Sequence, residues 1–423
     1  MKLFIFFLTF SFAFSLTIEE AVQSAMENNP ELRAYKHAVN SAFYTKKADE
    51  NLYLPSFFLN LSFNKLSNKQ SLNIPPFGPF PPLSIESAKQ NYRTFNAGLR
   101  ETIYDGGARE GKLSISSSEV RLQEDLYGEK KEDIKLQVIK AYLDVLSSKD
   151  IIDVYKKQLE AVRSQYERAK AFYKEGLVAI TDVLQAQVRL AEVQRDLRKA
   201  EGDYSVALAN LSKLTGIQED KIREIKAPQL MERPIPNLEE LYQEALQNRF
   251  IVRAYSEKVY QAKKLQDIEK SKYLPKIFLQ TEYTYSDQNP VITPKGVYTL
   301  SAGLSFEFQS FEPYYRLLSR AEDERRARWE LENVKENVKL EVKKAYEDLL
   351  TAKDNLRVAE DTLKYAEEFY RLSEEQYKNQ IISSTDLLLA EASLTQARKN
   401  KVISYYEYLK AYYELIRAVG GEK

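Results

Sequence analysis

Tyr173-Lys-Glu-Gly-Leu-Val-Ala-Ile-Thr-Asp-Val-Leu184 reads as a tight turn between two long helical patterns, with Gly176 supplying the backbone freedom that a turn needs. The same layout returns 204 positions further on as Tyr377-Lys-Asn-Gln-Ile-Ile-Ser-Ser-Thr-Asp-Leu-Leu388. Tyr173 answers to Tyr377, Thr181 to Thr385, Asp182 to Asp386 and Leu184 to Leu388. A design met twice at fixed spacing is the mark of internal duplication. It predicts two helical hairpins, each with an Asp just past its turn.

Upstream of the first turn, a seam runs through Ile134, Val138, Ala141, Val145, Ser148, Ile152, Tyr155, Leu159, Val162, Tyr166, Ala169 and Tyr173. Its steps alternate between four and three, as in a coiled coil. Downstream, Val183, Ala186, Leu190, Val193, Leu197, Ala200, Tyr204, Ala207, Leu211 and Leu214 form the return stripe, which Thr215-Gly216 closes. A helix from about Ala108 to Lys174 would be roughly 100 Å long at 1.5 Å per residue, beyond any ordinary globular domain. The second hairpin spans Pro313 to Gly420, and its seam through Val338, Val342, Ala345, Leu349, Ala352 and Leu356 keeps the offset of 204.

Ahead of each hairpin the period changes from helical to two. Thr17 and Glu20 form a capping box that opens a helical stretch, broken at Asn28-Asn29-Pro30 and running to about Leu52. Tyr53-Leu54-Pro55 then forces extended geometry. Phe57, Leu59, Leu61 and Phe63 fall on one face of a strand, and Asn60, Ser62 and Asn64 on the other. Ile74-Pro-Pro-Phe-Gly-Pro-Phe-Pro-Pro82 reads as a stiff polyproline-like loop. Its partner strand is Thr94 to Tyr104, where Phe95, Ala97, Leu99 and Ile103 alternate with polar or small residues. Leu16 to Asn60 matches Pro236 to Gln280 with about a third of positions identical. The strands recur as Ile277, Leu279, Thr281 and Tyr283, then Tyr298, Leu300, Ala302, Leu304, Phe306 and Phe308. The expected division is a signal peptide over 1–15, repeat one over 16–214, a connector over 215–236 and repeat two over 237–423.

The 423 residues carry 62 basic and 62 acidic side chains, one His and no Cys. Zero net charge argues against a nucleic-acid partner. Absent Cys removes thiol catalysis, disulfides and Cys-type zinc sites. Lys2, the apolar run Leu3 to Phe14 and the small residues of Ala13-Phe14-Ser15 predict a secretory leader cleaved before Leu16. No other apolar run approaches the roughly twenty residues of a membrane helix, so any membrane passage must use β-strands.

Four strands of about ten residues suit a tilted bilayer crossing. Each pairs an apolar face with a polar one, the pattern of lipid outside and water inside. Tyr92, Tyr104, Tyr283, Tyr285 and Tyr298 near the strand ends predict an aromatic girdle. Four strands do not enclose water, and open edges are forbidden in lipid, so several copies must pool strands. Three would give twelve. The fold class expected is mainly α with a transmembrane β part: long helical hairpins forming a tunnel, plus four strands per chain in a shared barrel.

At this point the chain resembles the TolC family of trimeric outer-membrane efflux proteins. The residues that carry the resemblance are Leu16-Thr-Ile-Glu-Glu-Ala-Val, Asn28-Asn-Pro-Glu-Leu, the two Tyr-Leu-Pro junctions, Tyr104-Asp-Gly-Gly and both tips. The resemblance implies a homotrimer with a twelve-stranded barrel in outer-membrane lipid, and a helical tunnel closed at its periplasmic entrance by the tips. It further implies a periplasmic adaptor and an inner-membrane pump as partners, in a tripartite efflux or secretion system. With no lipid-attachment Cys, the chain resembles the unlipidated members.

The family's gate residues carry over in part. A Thr-Asp pair at the first tip and a Tyr on the second hairpin match Thr181, Asp182 and Tyr377, whereas the family's Arg position is Ile382. Of two acidic rings, one is kept at Asp386 and the other is Leu389. Three Asp386 carboxylates would form a cation-attracting collar. Gly176 and Leu177 match the part of the tip that meets the adaptor. Asp182 and Asp386 also read simply as N-caps of their return helices, and Gly176 as a C-cap. His37 stands in a helical stretch without ligand-spaced neighbours, and no phosphate loop, nucleophile triad or spaced metal cluster occurs, so no enzyme or cofactor is expected. The rival reading is a secreted periplasmic coiled-coil scaffold with no channel. The faced strands and the duplication argue against it.

Overall fold

The computed structural model describes residues 15–222, 224–228, 236–307 and 311–421. All of the expected leader but Ser15, part of the connector and Phe308 lie outside them. In chain order the elements are β1 (Ser15–Leu16), α1 (Ile18–Asn28), α2 (Pro30–Glu50), β2 (Ser56–Lys65), β3 (Gln70–Ile74), β4 (Leu83–Ala88) and β5 (Asn91–Tyr104). Then follow α3 (Ala108–Lys174), α4 (Ile180–Thr215), β6 (Glu224–Ile225), α5 (Leu238–Asn248), α6 (Phe250–Ser271), β7 (Lys276–Ser286), β8 (Gly296–Ser305), α7 (Glu312–Lys378) and α8 (Ser384–Val419). The duplication is written into the lengths. α3 and α7 both have 67 residues, α4 and α8 both have 36, and α1 and α5 both have 11. The Thr17–Glu20 capping box is present, and the helix breaks at Asn29 as its Pro requires.

Two compact units cut across the repeats, each taking chain from both. Within the described residues, the first is drawn from Met1–His37, Asp125–Val252 and Asn333–Lys423, and the second from Ala38–Glu124 and Arg253–Glu332.

In the first unit the core forms where α1, the middle of α3, the end of α4 and α8 meet. Leu32, Ile134, Val138, Leu143, Val145, Leu211 and Leu409 are fully buried there, each burial contributing roughly 1.5–3 kcal/mol. The Tyr142 hydroxyl lies 2.8 Å from the Leu16 carbonyl and 2.7 Å from that of Lys226, which pins the parallel pair β1–β6 to α3. Burial pushes this phenol well above its ordinary pKa. On α7, Val338, Val342, Ala345 and Leu349 are buried as the seam requires. Arg249, between α5 and α6, is a second node. It donates to Glu129 on α3 at 2.7 Å, to Glu341 on α7 at 3.0 Å and to the Ala418 carbonyl of α8 at 3.0 Å.

In the second unit four antiparallel strands run in the order β2-β5-β7-β8, leaving β2 and β8 as edges. The register lines the residues up by chemistry. Leu59, Ala97, Tyr283 and Tyr298 share one row and Phe57, Leu99, Thr281 and Leu300 the next. The alternate rows hold Asn60, Asn96 and Thr284, with Val297 as the apolar exception at the β8 edge, then Ser56, Arg100, Gln280 and Ser301. Phe57, Leu59, Leu61, Phe63, Leu300 and Leu304 are all exposed. On the polar face Phe58 and Phe278 lie flat over glycines. A Cβ on Gly98 would come within 2.7 Å of the Phe58 ring, and one on Gly303 within 2.3 Å of the Phe278 ring. Gly98→Val is therefore expected to break the β5–β7 pairing, where a Cβ would also stand 2.5 Å from the Thr281 carbonyl. Loss of heat-resistant folded protein on a cold denaturing gel checks this.

Three sequence expectations need correction. The Pro-rich stretch is the end of a hairpin rather than a stiff polyproline-like loop: β3 and β4 pair on either side of it, and Phe77 bridges Phe80 across a two-residue turn. The prolines lack N–H groups for a ladder, so only their flanks zip. β5 begins at Asn91 rather than Thr94, and β8 stops at Ser305, short of Phe306. Tyr92 pairs with Asn64 on the polar face, which removes it from the girdle. Phe95, Tyr283 and Tyr298 instead cluster on the apolar face, with ring centroids 6.3 and 4.7 Å apart. Two charges fall at apolar-face registers in β5: Arg93 lies over the Phe63 ring, 5.7 Å from its centroid, and Glu101 is paired 3.5 Å from Arg109.

Candidate functional site: the hairpin tips

Both tips lie in the first unit and turn by the same hydrogen bonds. At the first, Gly176 has φ 75°, its N–H donates to the Tyr173 carbonyl at 3.0 Å, and Leu177 N–H donates to Phe172 at 2.9 Å. At the second, Gln380 N–H donates to Tyr377 at 3.0 Å and Ile381 N–H to Gln376 at 2.9 Å. Each is a Schellman ending, which requires a left-handed residue. The second tip places Gln380 there at φ 58°, a conformation costing a side chain about 1 kcal/mol that glycine avoids. Gln380→Gly is expected to stabilise the tip by about 1 kcal/mol, read as slower hydrogen exchange at residues 376–384.

The return helices start differently. Ser383 caps α8, accepting from the Asp386 N–H at 3.2 Å, and the Asp386 carboxylate accepts from the Ser383 N–H at 3.1 Å. α4 starts from Ala179, with no side-chain cap bond. The N-cap reading of Asp182 and Asp386 is thus corrected: both are third residues of their helices, where a carboxylate still favours the helix dipole. Only Asp386 closes a capping box.

Of the expected gate residues, Tyr377 is the buried one, and the Asp182 charge is near enough to act on its phenol. Tyr377 is 6% exposed and packs on Phe172, ring centroids 6.3 Å apart. Burial pushes its phenol up, a hydrogen bond with the Ser384 side chain pulls the other way, and the nearby Asp182 charge adds to the rise. Its repeat partner Tyr173 is 45% exposed. Thr181 is exposed. The hydroxyl that crosses between hairpins belongs to its counterpart Thr385, which donates to Gln185 at 3.1 Å. Asp386, Leu389, Gly176 and Leu177 are exposed, and Ile382 is partly buried.

Behind the tips lies a polar layer that sequence reasoning missed. The Glu391 side chain on α8 is 3% exposed, with Arg189 of α4 3.5 Å from its carboxylate and the Thr395 hydroxyl donating at 2.9 Å. Arg168 of α3 stands 3.5 Å from Glu374 of α7. Gln165 is buried nearby, and Tyr370 has its phenol pushed up by burial and the Glu374 charge. One signal was available: Glu391 interrupts the apolar stripe Leu387, Ala390, Leu394, Ala397. So were the steps of the first hairpin, where Gln158 and Gln165, not Leu159 and Tyr166, are buried.

A sheet with one apolar and one polar face, joined through 67-residue helices to paired hairpin tips, defines a protein that inserts strands in a membrane and carries helices outside it. Among the described residues no helix is long and apolar enough to cross a membrane. The model of the outer membrane efflux protein family matches residues 21–217 and 241–421, and the chain belongs to that family. Membership places it in the outer membrane. It is 24% identical over 277 residues to outer membrane protein TolC of Vibrio cholerae, a match that covers 64% of this chain and 59% of that one. The chain thus spans well under two thirds of that relative. Its fold is similar to the CmeC outer membrane channel of Campylobacter jejuni, with TM-score 0.78 and 17% identity over 96% of this chain and 85% of that one. It is similar also to the outer membrane protein VceC of Vibrio cholerae, with TM-score 0.77 and 16% identity over 96% of each chain.

Proposed function

We propose that the chain is the outer-membrane exit duct of a tripartite efflux or secretion system, receiving cargo from an inner-membrane pump through a periplasmic adaptor. The observation that carries this reading is the sheet. All four strands expose residues of its apolar face, and among the described residues its edges β2 and β8 have no strand partner. In lipid both edges must pair, and β2 of one copy meeting β8 of the next closes a ring. Three copies give twelve strands around a polar lumen, with their helical hairpins forming the tunnel. The entrance is held by the tips: Tyr377 packs on Phe172 across the hairpins, the Arg189–Glu391 layer backs them, and three Asp386 carboxylates ring the opening. Gly176 and the exposed Leu177 offer the adaptor its contact.

The mass of the detergent-extracted protein, by light scattering corrected for the micelle, tests the ring. About three times the chain mass supports it, and a monomer or a detergent-free soluble protein returns the scaffold reading. Asp386 also caps α8, so Asp386→Asn is the informative change: it keeps the acceptor and drops the charge. Cation preference in bilayer recordings is expected to fall with α8 intact. Unchanged ion selectivity would remove the collar.

A further inference from the structure

Both edges of the sheet carry an exposed apolar patch at the same end, the end away from the junctions with the long helices. At the β2 edge the patch is the β3–β4 hairpin. Leu72 pairs with Ile85 and Ile74 with Leu83, so these four share one face. The other face is polar, with the Ser84 hydroxyl donating to Asn73 at 2.7 Å. At the turn Gly78 has φ 60°, as the first central residue of a type II′ turn requires, and Phe80 N–H donates to the Phe77 carbonyl at 3.2 Å. Phe77 is 82% exposed, and no charged residue occurs from Gln70 to Ile85. A two-stranded ribbon is at best marginal in water alone, and an apolar face this contiguous marks a contact surface.

At the other edge, the β7–β8 loop exposes Val291 and Ile292. The hairpin's base is fixed to the same rim. Lys89 N–H donates to the Gln288 carbonyl at 2.7 Å, and the Asp287 carboxylate accepts from Arg93 N–H at 2.7 Å. The hairpin joins β2 to β5 and the Val291–Ile292 loop joins β7 to β8, so each is attached to one edge strand. A ring closed by β2 against β8 brings the hairpin of one copy to the loop of the next, a head-to-tail contact that repeats until it closes.

We propose that the β3–β4 hairpin seats its Leu72, Ile74, Leu83 and Ile85 face on the β7–β8 loop of a second copy of this chain, so that the barrel rim is clasped outside the strand ladder. This rests on the ring reading above. The chain has no native Cys, so Leu83→Cys/Ile292→Cys in the full-length detergent-solubilised protein, treated with a short bis-maleimide, reads the contact directly. Covalent dimers and trimers on a denaturing gel are expected from the double variant, and monomer from either single variant. Ile74→Cys/Val291→Cys repeats the test should the first pair fail to fold. A trimeric mass with only monomer bands overturns the clasp and leaves the ring standing, assigning the face to lipid or water. Oligomers from Leu83→Cys alone overturn it in favour of hairpins meeting one another. A monomeric mass takes down ring and clasp together.

Discussion

Replacing Arg189 by Ala is expected to loosen the tips more than any change at the tips themselves. The substitution leaves the Glu391 carboxylate, 3% exposed, without its cation, and removing one partner of a buried pair costs about 3 kcal/mol or more. Local opening should rise accordingly, with amides around 165–190 and 370–395 exchanging roughly a hundredfold faster. If the layer backs the proposed gate, single-channel recordings will show longer open intervals. The double change Arg189→Leu/Glu391→Leu should restore protection to within about 1 kcal/mol of the parent, since a packed apolar pair commonly equals or exceeds a buried ionic one. Equal exchange in parent and Arg189→Ala would mean that the layer contributes nothing.

The second large effect is expected at Arg249, whose side chain is 5% exposed and reaches three helices. Arg417 shares its carboxylate partners: it is 2.9 Å from Glu129 and also bonded to Glu341 and Asp133. Arg249→Ala leaves Glu129 and Glu341 with Arg417 as their remaining guanidinium and strips the Ala418 carbonyl of a buried donor, a loss of about 1–3 kcal/mol. Thermal unfolding of the detergent-solubilised protein should show it as a marked fall in midpoint. Arg249→Lys should recover little, because a point ammonium does not reach three acceptors as the guanidinium fork does. A midpoint within a degree or two of the parent would contradict this role.

Much of the architecture was legible in the residues because it follows from period. Steps of four and three set the hairpins, alternation set the faced strands, and Pro55 and Pro275 marked where one became the other. Register and pairing were less so. The Pro-rich stretch hid a hairpin because its ladder is written only in the flanks, where Leu72 faces Ile85 and Ile74 faces Leu83. The tip was legible in outline and not in its bonds. Tyr173 and Tyr377 are equivalent by sequence, yet one is exposed and the other buried. Thr181 is exposed, and the hydroxyl bond between the two tips runs from Thr385 to Gln185. Repeats copy residue types, whereas the partner each residue meets depends on which hairpin stands opposite. The pairing of Arg168 with Glu374 and of Arg189 with Glu391 was not legible for the same reason, since it is set only by the approach of two hairpins about 200 residues apart in the chain.

The equal lengths of the two hairpins have a consequence for how such a chain changes size. Thr385 meets Gln185, and Glu391 meets Arg189, only because the outbound helices both run 67 residues before turning. Removing one heptad from α3 and one from α4 would draw the first tip back by about 10 Å, sliding every cross-hairpin partner out of reach while leaving each helix sound. The same excision in α7 and α8 would bring the pairs back into step. The reach of the hairpins is therefore a single dimension kept by two copies, and shortened or lengthened versions are expected to assemble only when both copies are cut to the same measure.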